Sequence, residues 1–77
     1  MDELMEKLAN IEHERWSGWQ KYLHSKCLKN PDGSLTIPAE YVFHLEKLIK
    51  TTYENLTEKE KESDRKEVRK TLEVIYL

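Results

Sequence analysis

Glu12, Arg15, Lys61, Asp64 and Arg65 are charged residues set inside otherwise apolar helical stripes, and that placement gives them the clearest reason to do chemistry. Along an ideal helix Leu4, Met5, Leu8, Ile11, Trp16, Trp19, Tyr22 and Leu23 share one wide stripe, and Glu12 and Arg15 fall within it. Near the other end, the stripe Val68, Leu72, Ile75 projects backwards onto Lys61, Asp64 and Arg65. A charge on an inward face is costly unless it is paired, hydrogen-bonded or facing a pocket. Two arrangements meet that condition. In the first, Lys61, Asp64 and Arg65 pair with Glu12 and Arg15 and set the register of two helices. In the second, they line an anion-binding pocket near the start of the last helix, whose free amides also favour negative charge. The sequence leaves both open.

His13 and Trp16 lie three residues apart, with Gln20 four further on, so a polar and aromatic strip borders the main stripe. Such a strip suits stacking on a nucleobase, with Arg15, Lys61 or Arg65 available for phosphate. Core packing is the ordinary role of large rings in a small domain. The reading taken is that Trp19 is structural and that Trp16 lies against a ligand.

Other chemistries find less support. His13 sits between Glu12 and Glu14, but adjacent helix residues diverge by about 100°, and only i, i+3 and i+4 neighbours converge on one ion. His24 and His44 have no second ligand at such a spacing in their own helices, so no metal site is expected. Ser17, Ser25, Ser34 and Ser63 lack a nucleophile-elbow setting, and Cys27 has no partner motif. Glu12 and Asp64 are the carboxylates that could meet across helices, a separation the sequence does not determine. A short helical domain seldom builds a sequestered catalytic cavity, so no catalytic residue and no cofactor is expected.

The elements that must position these residues follow from size and pattern. Seventy-seven residues read as one domain, 1–77, with a thin core, because a chain this short buries only about 60–65% of its unfolded surface. Self-association into a homo-oligomer is therefore expected. The net charge of −2 argues against a nucleic-acid polymer as partner, since that binding needs clustered cations, whereas a small anion needs one or two. Cys27 alone rules out an intrachain disulfide framework. No apolar run reaches the length of a membrane span and Met1-Asp2-Glu3 lacks a basic start, so the expectation is a cytoplasmic protein with no membrane partner.

The pattern predicts an all-α fold of three main helices, with a short turn or extended segment between helices one and two. Helix one is expected from Asp2 to Cys27 or Leu28, acidic at its start and basic at its end as the dipole favours. Asn30-Pro31-Asp32-Gly33-Ser34 is the strongest turn signal, and Leu35-Thr36-Ile37 reads as briefly extended. Pro38 suits the opening of helix two, whose buried face is read as Tyr41, Val42, Leu45, Leu48 and Ile49, with Phe43 off that face. Thr51 to Asn55 reads as a connector. Thr57-Glu58-Lys59-Glu60 is a capping box, so helix three is expected from there to about Ile75. Six acidic and six basic residues between Glu58 and Glu73 mark it as solvated and laced with ion pairs.

Glu12-His13-Glu14-Arg15-Trp16 followed by Tyr53-Glu54-Asn55-Leu56 and Glu60-Lys61-Glu62-Ser63-Asp64-Arg65 resembles the ryanodine-receptor-type domain, with its early His-x-x-Trp and late Tyr-x-x-Leu-x-x-x-Glu-Lys-x-x-Asp-Arg-like segment. With Asp32-Gly33-Ser34-Leu35-Thr36-Ile37-Pro38 included, the string also looks like small stand-alone phage-encoded versions of that domain. The likeness covers nearly the whole chain. It departs at Gly18-Trp19, which helical pattern follows rather than a turn, at Thr52, where the family usually has proline, and in a longer middle helix. By position the family signature falls on His13, Trp16, Tyr53, Lys61, Asp64 and Arg65. Bacterial domains of this type are associated with nucleotide-dependent defence and signalling.

Together these readings give an expected ligand set of His13, Arg15, Trp16, Tyr53, Lys61, Asp64 and Arg65, and a non-enzymatic protein binding a small anionic ligand. The resemblance implies a nucleotide-type immune signal, cyclic or modified, that a phage anti-defence protein would sequester in the host cytoplasm. The alternative is a protein-interaction module that binds and inhibits a host protein through an exposed helix face, for which an outward Phe43 is the discriminating feature.

Overall fold

A computed structural model describes residues 2–76. The fold is all-α in the main: α1 (Glu3–Lys26), a two-stranded hairpin of β1 (Leu28–Lys29) and β2 (Leu35–Thr36), α2 (Ala39–Lys50), a single 3-10 turn (Tyr53–Asn55) and α3 (Glu58–Tyr76). No described helix is long and apolar enough to cross a membrane.

Local chemistry sets most boundaries. Asp2 Oδ1 accepts the Leu4 amide at 3.0 Å and so caps α1, with Glu3 and Glu6 at its positive end and His24 and Lys26 at its negative one. The α1 helix stops at Lys26, one to two residues short of expectation, because Leu28 and Lys29 leave it to pair antiparallel with Thr36 and Leu35. The turn between the strands takes its shape from its own residues. The Gly33 amide donates to the Asn30 carbonyl at 3.0 Å and the Asn30 amide to the Ser34 carbonyl at 2.9 Å, which closes a tight turn with Pro31 at its second position. Gly33 has φ of +90°, a conformation that favours a residue without Cβ. Asp32 Oδ1 accepts from both the amide and the hydroxyl of Ser34, at 2.9 and 2.6 Å, and these bonds, the hydroxyl first, hold its carboxyl below the ordinary pKa. At the start of α3 the capping box forms as read: the Thr57 amide donates to Glu60 Oε1 at 2.9 Å and the Glu60 amide to Thr57 Oγ1 at 3.1 Å.

The chain divides into two compact units, one made of residues up to Gly18 with those from Thr57 on, the other of Trp19–Leu56. Neither holds a described residue that is fully buried. In the first unit the half-buried residues include Leu8, Ile11 and Arg15 on α1 and Lys61, Arg65, Glu67, Thr71 and Val74 on α3. In the second they include Leu23, Tyr41, Leu45 and Leu48. The core-facing stripes read from periodicity are thus only partly covered: Leu4, Met5, Trp16, Trp19 and Tyr22 keep 42–60% of their surface. Val42 and Ile49, read as buried on α2, are exposed, and Phe43 is 75% exposed, off the face as expected. The chain leaves 6781 Å² accessible, about half of the ~13,500 Å² of its extended form.

Candidate functional site

Within the first unit, Arg15 is the residue that ties α1 to α3. One terminal nitrogen of its guanidinium donates to the Glu67 carbonyl at 3.1 Å and to Thr71 Oγ1 at 3.0 Å, and the other donates to Glu12. Its Nε is out of water without a hydrogen bond, and lies 3.6 Å from the Glu67 carboxylate. The side chain is 23% exposed, so the charge is partly desolvated and depends on these partners. Arg15 therefore meets the requirement for an inward charge by an interhelical pair. Its partners on α3 are Glu67 and Thr71, which the sequence reading did not single out. They lie at positions i and i+4, a spacing that could have marked them as one face.

Lys61 and Arg65 form a second group on α3. Glu58 lies 3.9 Å from Lys61 and 3.2 Å from Arg65, and Glu62 reaches Arg65 at 3.5 Å and Arg69 at 2.8 Å. The hydrogen bond from Arg69 is the main cause that holds the Glu62 carboxyl below its ordinary pKa, and Arg65 adds to it. Arg65 falls roughly 160° around α3 from Glu67, the residue that receives Arg15. An anion at Lys61 and Arg65 must compete with carboxylates already beside them. Asp64 is exposed on the same helix.

His13 and Trp16 form the third group. Their rings stack with centroids 6.2 Å apart and an interplanar angle of 22°, and Trp16 is 60% exposed. The carboxylates on either side of His13 are engaged elsewhere, Glu12 by Arg15 and Glu14 by the side-chain amide of Asn10 at 2.8 Å. Of the strip read from the sequence, His13 and Trp16 form an exposed aromatic pair on which a planar base can stack, whereas Gln20 is half-buried and belongs to the second unit.

Tyr53 belongs to the second unit, in the 3-10 turn before α3. That unit carries an aromatic run whose Trp19, Tyr22 and Tyr41 the sequence reading assigned to packing and whose His44 it considered only as a metal ligand. Trp19 meets Tyr22 edge-on at 6.5 Å, Tyr22 meets Tyr41 at 6.4 Å, and Tyr41 meets His44 at 6.0 Å, with the Lys26 ammonium 5.2 Å from the Tyr22 ring centre. Burial, with smaller contributions from Tyr22 and Cys27, raises the Tyr41 pKa. Trp19, read from the sequence as structural, keeps 49% of its surface and lies at the end of this run. No family model, no curated protein and no solved structure matches the chain.

Proposed function

We propose that the chain is a non-enzymatic binding protein, working as a homo-oligomer, that holds a small anionic ligand carrying a planar base. The observation that carries this reading is the His13–Trp16 stack, an aromatic pair that leaves Trp16 60% exposed. Base stacking on such a ring contributes about 1–3 kcal/mol. Lys61 and Arg65 supply positive charge for phosphate, with Glu58 and Glu62 giving way on binding. Resemblance to the ryanodine-receptor-type domain supports a cyclic or modified nucleotide as that ligand, and sequestration of an immune signal by a phage anti-defence protein as its use. Trp16 fluorescence, followed in a Trp19→Phe background during titration with cyclic mono- and dinucleotides, tests it. Saturable quenching that disappears in Arg65→Ala supports the reading. No response to any nucleotide in the panel overturns it.

A second reading has an observation of its own. Phe43, 75% exposed on α2, is a large apolar ring facing water, as in a module that binds and inhibits a host protein. Host-protein binding that is lost in Phe43→Ala and indifferent to nucleotides would favour this alternative.

A further inference from the structure

Of the three aspartates in the chain, Asp2 is followed by glutamate, Asp64 by arginine and Asp32 by glycine. A side-chain carboxyl closes on the amide nitrogen of the next residue most readily when that residue has no Cβ to shield it. At Gly33 nothing lies within 4 Å of where a Cβ would stand, and Asp32 and Gly33 are both exposed. The asparagines are less open to the same closure, because Pro31 carries no amide hydrogen and Ile11 and Leu56 are bulky. Asp32-Gly33 is thus the pair in this sequence whose residue types invite rearrangement to isoaspartate.

The turn between β1 and β2 restrains both reacting groups. Asp32 Oδ1 accepts from the Ser34 amide at 2.9 Å and from its hydroxyl at 2.6 Å, and hydrogen bonds to the charged form keep a carboxyl ionised. An ionised carboxylate is a poor electrophile, since the oxygen that must leave carries no proton. The Asn30 side-chain amide donates to Ser34 Oγ at 2.9 Å and to Thr36 Oγ1 at 3.0 Å, which fixes the hydroxyl where Asp32 meets it. The nucleophile is held as well: the Gly33 amide keeps its hydrogen in a bond to the Asn30 carbonyl at 3.0 Å.

We propose that Asp32-Gly33 is a latent covalent modification site, at which isoaspartate forms whenever the turn and the Ser34 hydroxyl release the carboxyl. The Gly33 nitrogen attacks Asp32 Cγ and the N–Cγ bond forms, while the amide hydrogen and the carboxyl hydroxyl leave together as water. Water then adds to the succinimide. Opening at Cγ restores aspartate, and opening at the main-chain carbonyl gives isoaspartate, so one water is lost and one regained and nothing is oxidised or reduced. In the product the main chain runs through Cβ, one carbon longer, and the former main-chain carbonyl carbon bears the free carboxylate. The pairing of Leu28 with Thr36 and of Lys29 with Leu35 depends on the spacing of this turn, so the longer chain loses the register of the hairpin. Episodes of unfolding are thereby recorded in one turn without a change of mass or net charge.

Peptide mapping with electron-transfer fragmentation, after incubation at mildly acidic pH, reads isoaspartate at each aspartate. The wild type in guanidinium chloride should accumulate it at Asp32 at least tenfold faster than the folded chain. Gly33→Ala in the same denaturant should slow it at least tenfold, which assigns the attack to that nitrogen. In the folded state Ser34→Ala should raise the rate at least threefold, and Ser34→Thr, which keeps the hydroxyl, should leave it at the wild-type value. Hydrogen exchange of the Asn30 amide, which donates to the Ser34 carbonyl, reports whether the turn is intact in both variants. Equal rates in the folded and denatured wild type overturn the restraint, and isoaspartate that forms first at Asp2 or Asp64 in denaturant overturns the site. A wild-type rate in Ser34→Ala, or a raised rate accompanied by lost protection of Asn30, overturns the part given to the Ser34 hydroxyl.

Discussion

Replacing Arg15 by methionine keeps most of the side-chain volume and removes every charged contact between α1 and α3 that passes through it. The loss can be sized from the contacts. A hydrogen bond involving a charged group contributes about 1.5–3 kcal/mol net. Here one guanidinium nitrogen serves both Glu67 and Thr71, while the ion pair with the Glu67 carboxylate, at 3.6 Å, is long. Partial exposure of Arg15 and Glu67, at 23% and 26%, brings the figure towards the lower half of that range. The methionine recovers some apolar contact. The expected cost is about 2 kcal/mol, out of a total stability of about 4–12 kcal/mol for a domain of this length. By contrast, Glu12→Gln disturbs only an exposed i, i+3 pair and should cost under about 0.5 kcal/mol. Urea unfolding followed by far-ultraviolet circular dichroism, at one fixed protein concentration because association shifts stability, measures both. A double-mutant cycle of Arg15→Met with Thr71→Val should give a coupling energy of about 1 kcal/mol. If Arg15→Met unfolds within about 0.5 kcal/mol of the wild type and the coupling vanishes, the interhelical reasoning fails, and Arg15 returns to the ligand set.

Alanine at the two glycines should act with opposite signs, each read from the urea midpoint. Neither site has an atom within 4 Å of the added Cβ, so backbone conformation decides: Gly33→Ala should cost about 1 kcal/mol at φ of +90°, whereas Gly18→Ala should add about 0.5–1 kcal/mol inside α1. Thr57→Ala should cost about 1 kcal/mol by undoing half of the capping box, with hydrogen exchange rising in the first turn of α3. The Asp32 carboxyl has a lowered pKa in the fold, so its contribution is complete above the ordinary carboxylate value and fades as pH falls below about 4; the Ser34 amide resonance should report that titration, and Ser34→Ala should move it back up. Tyr41 has a raised pKa, so its contribution holds below its ordinary value and is lost as pH climbs past about 10, which ultraviolet difference spectra should show as late phenol ionisation that Tyr41→Phe removes.

Features that depend on a few neighbouring residues were legible in the sequence. Asn30 to Ser34 make their turn from hydrogen bonds among themselves, and Thr57 and Glu60 satisfy each other's amides, so both motifs have the geometry their residue types demand. The same holds for the three helices, since period and end charges are local properties. Leu28 marks the limit. The turn residues from Asn30 on predict that the helix ends near it, but that it becomes a strand depends on Thr36, eight residues on, which offers a ladder partner.

The tertiary structure alone decided which side of each helix is used. Periodicity states that Leu4 to Leu23 and Lys61 to Ile75 share stripes, but it does not say that anything covers them, because a stripe is a direction about an axis and its burial belongs to a neighbour. Hence Val68, Leu72 and Ile75 remain open to water while the polar Glu67 and Thr71 face inward. The inward charge on α1 was likewise visible, yet its partner was not. Arg15 meets residues 52 and 56 positions away, and a guanidinium selects among distant carboxylates, carbonyls and hydroxyls by the geometry in which the helices meet.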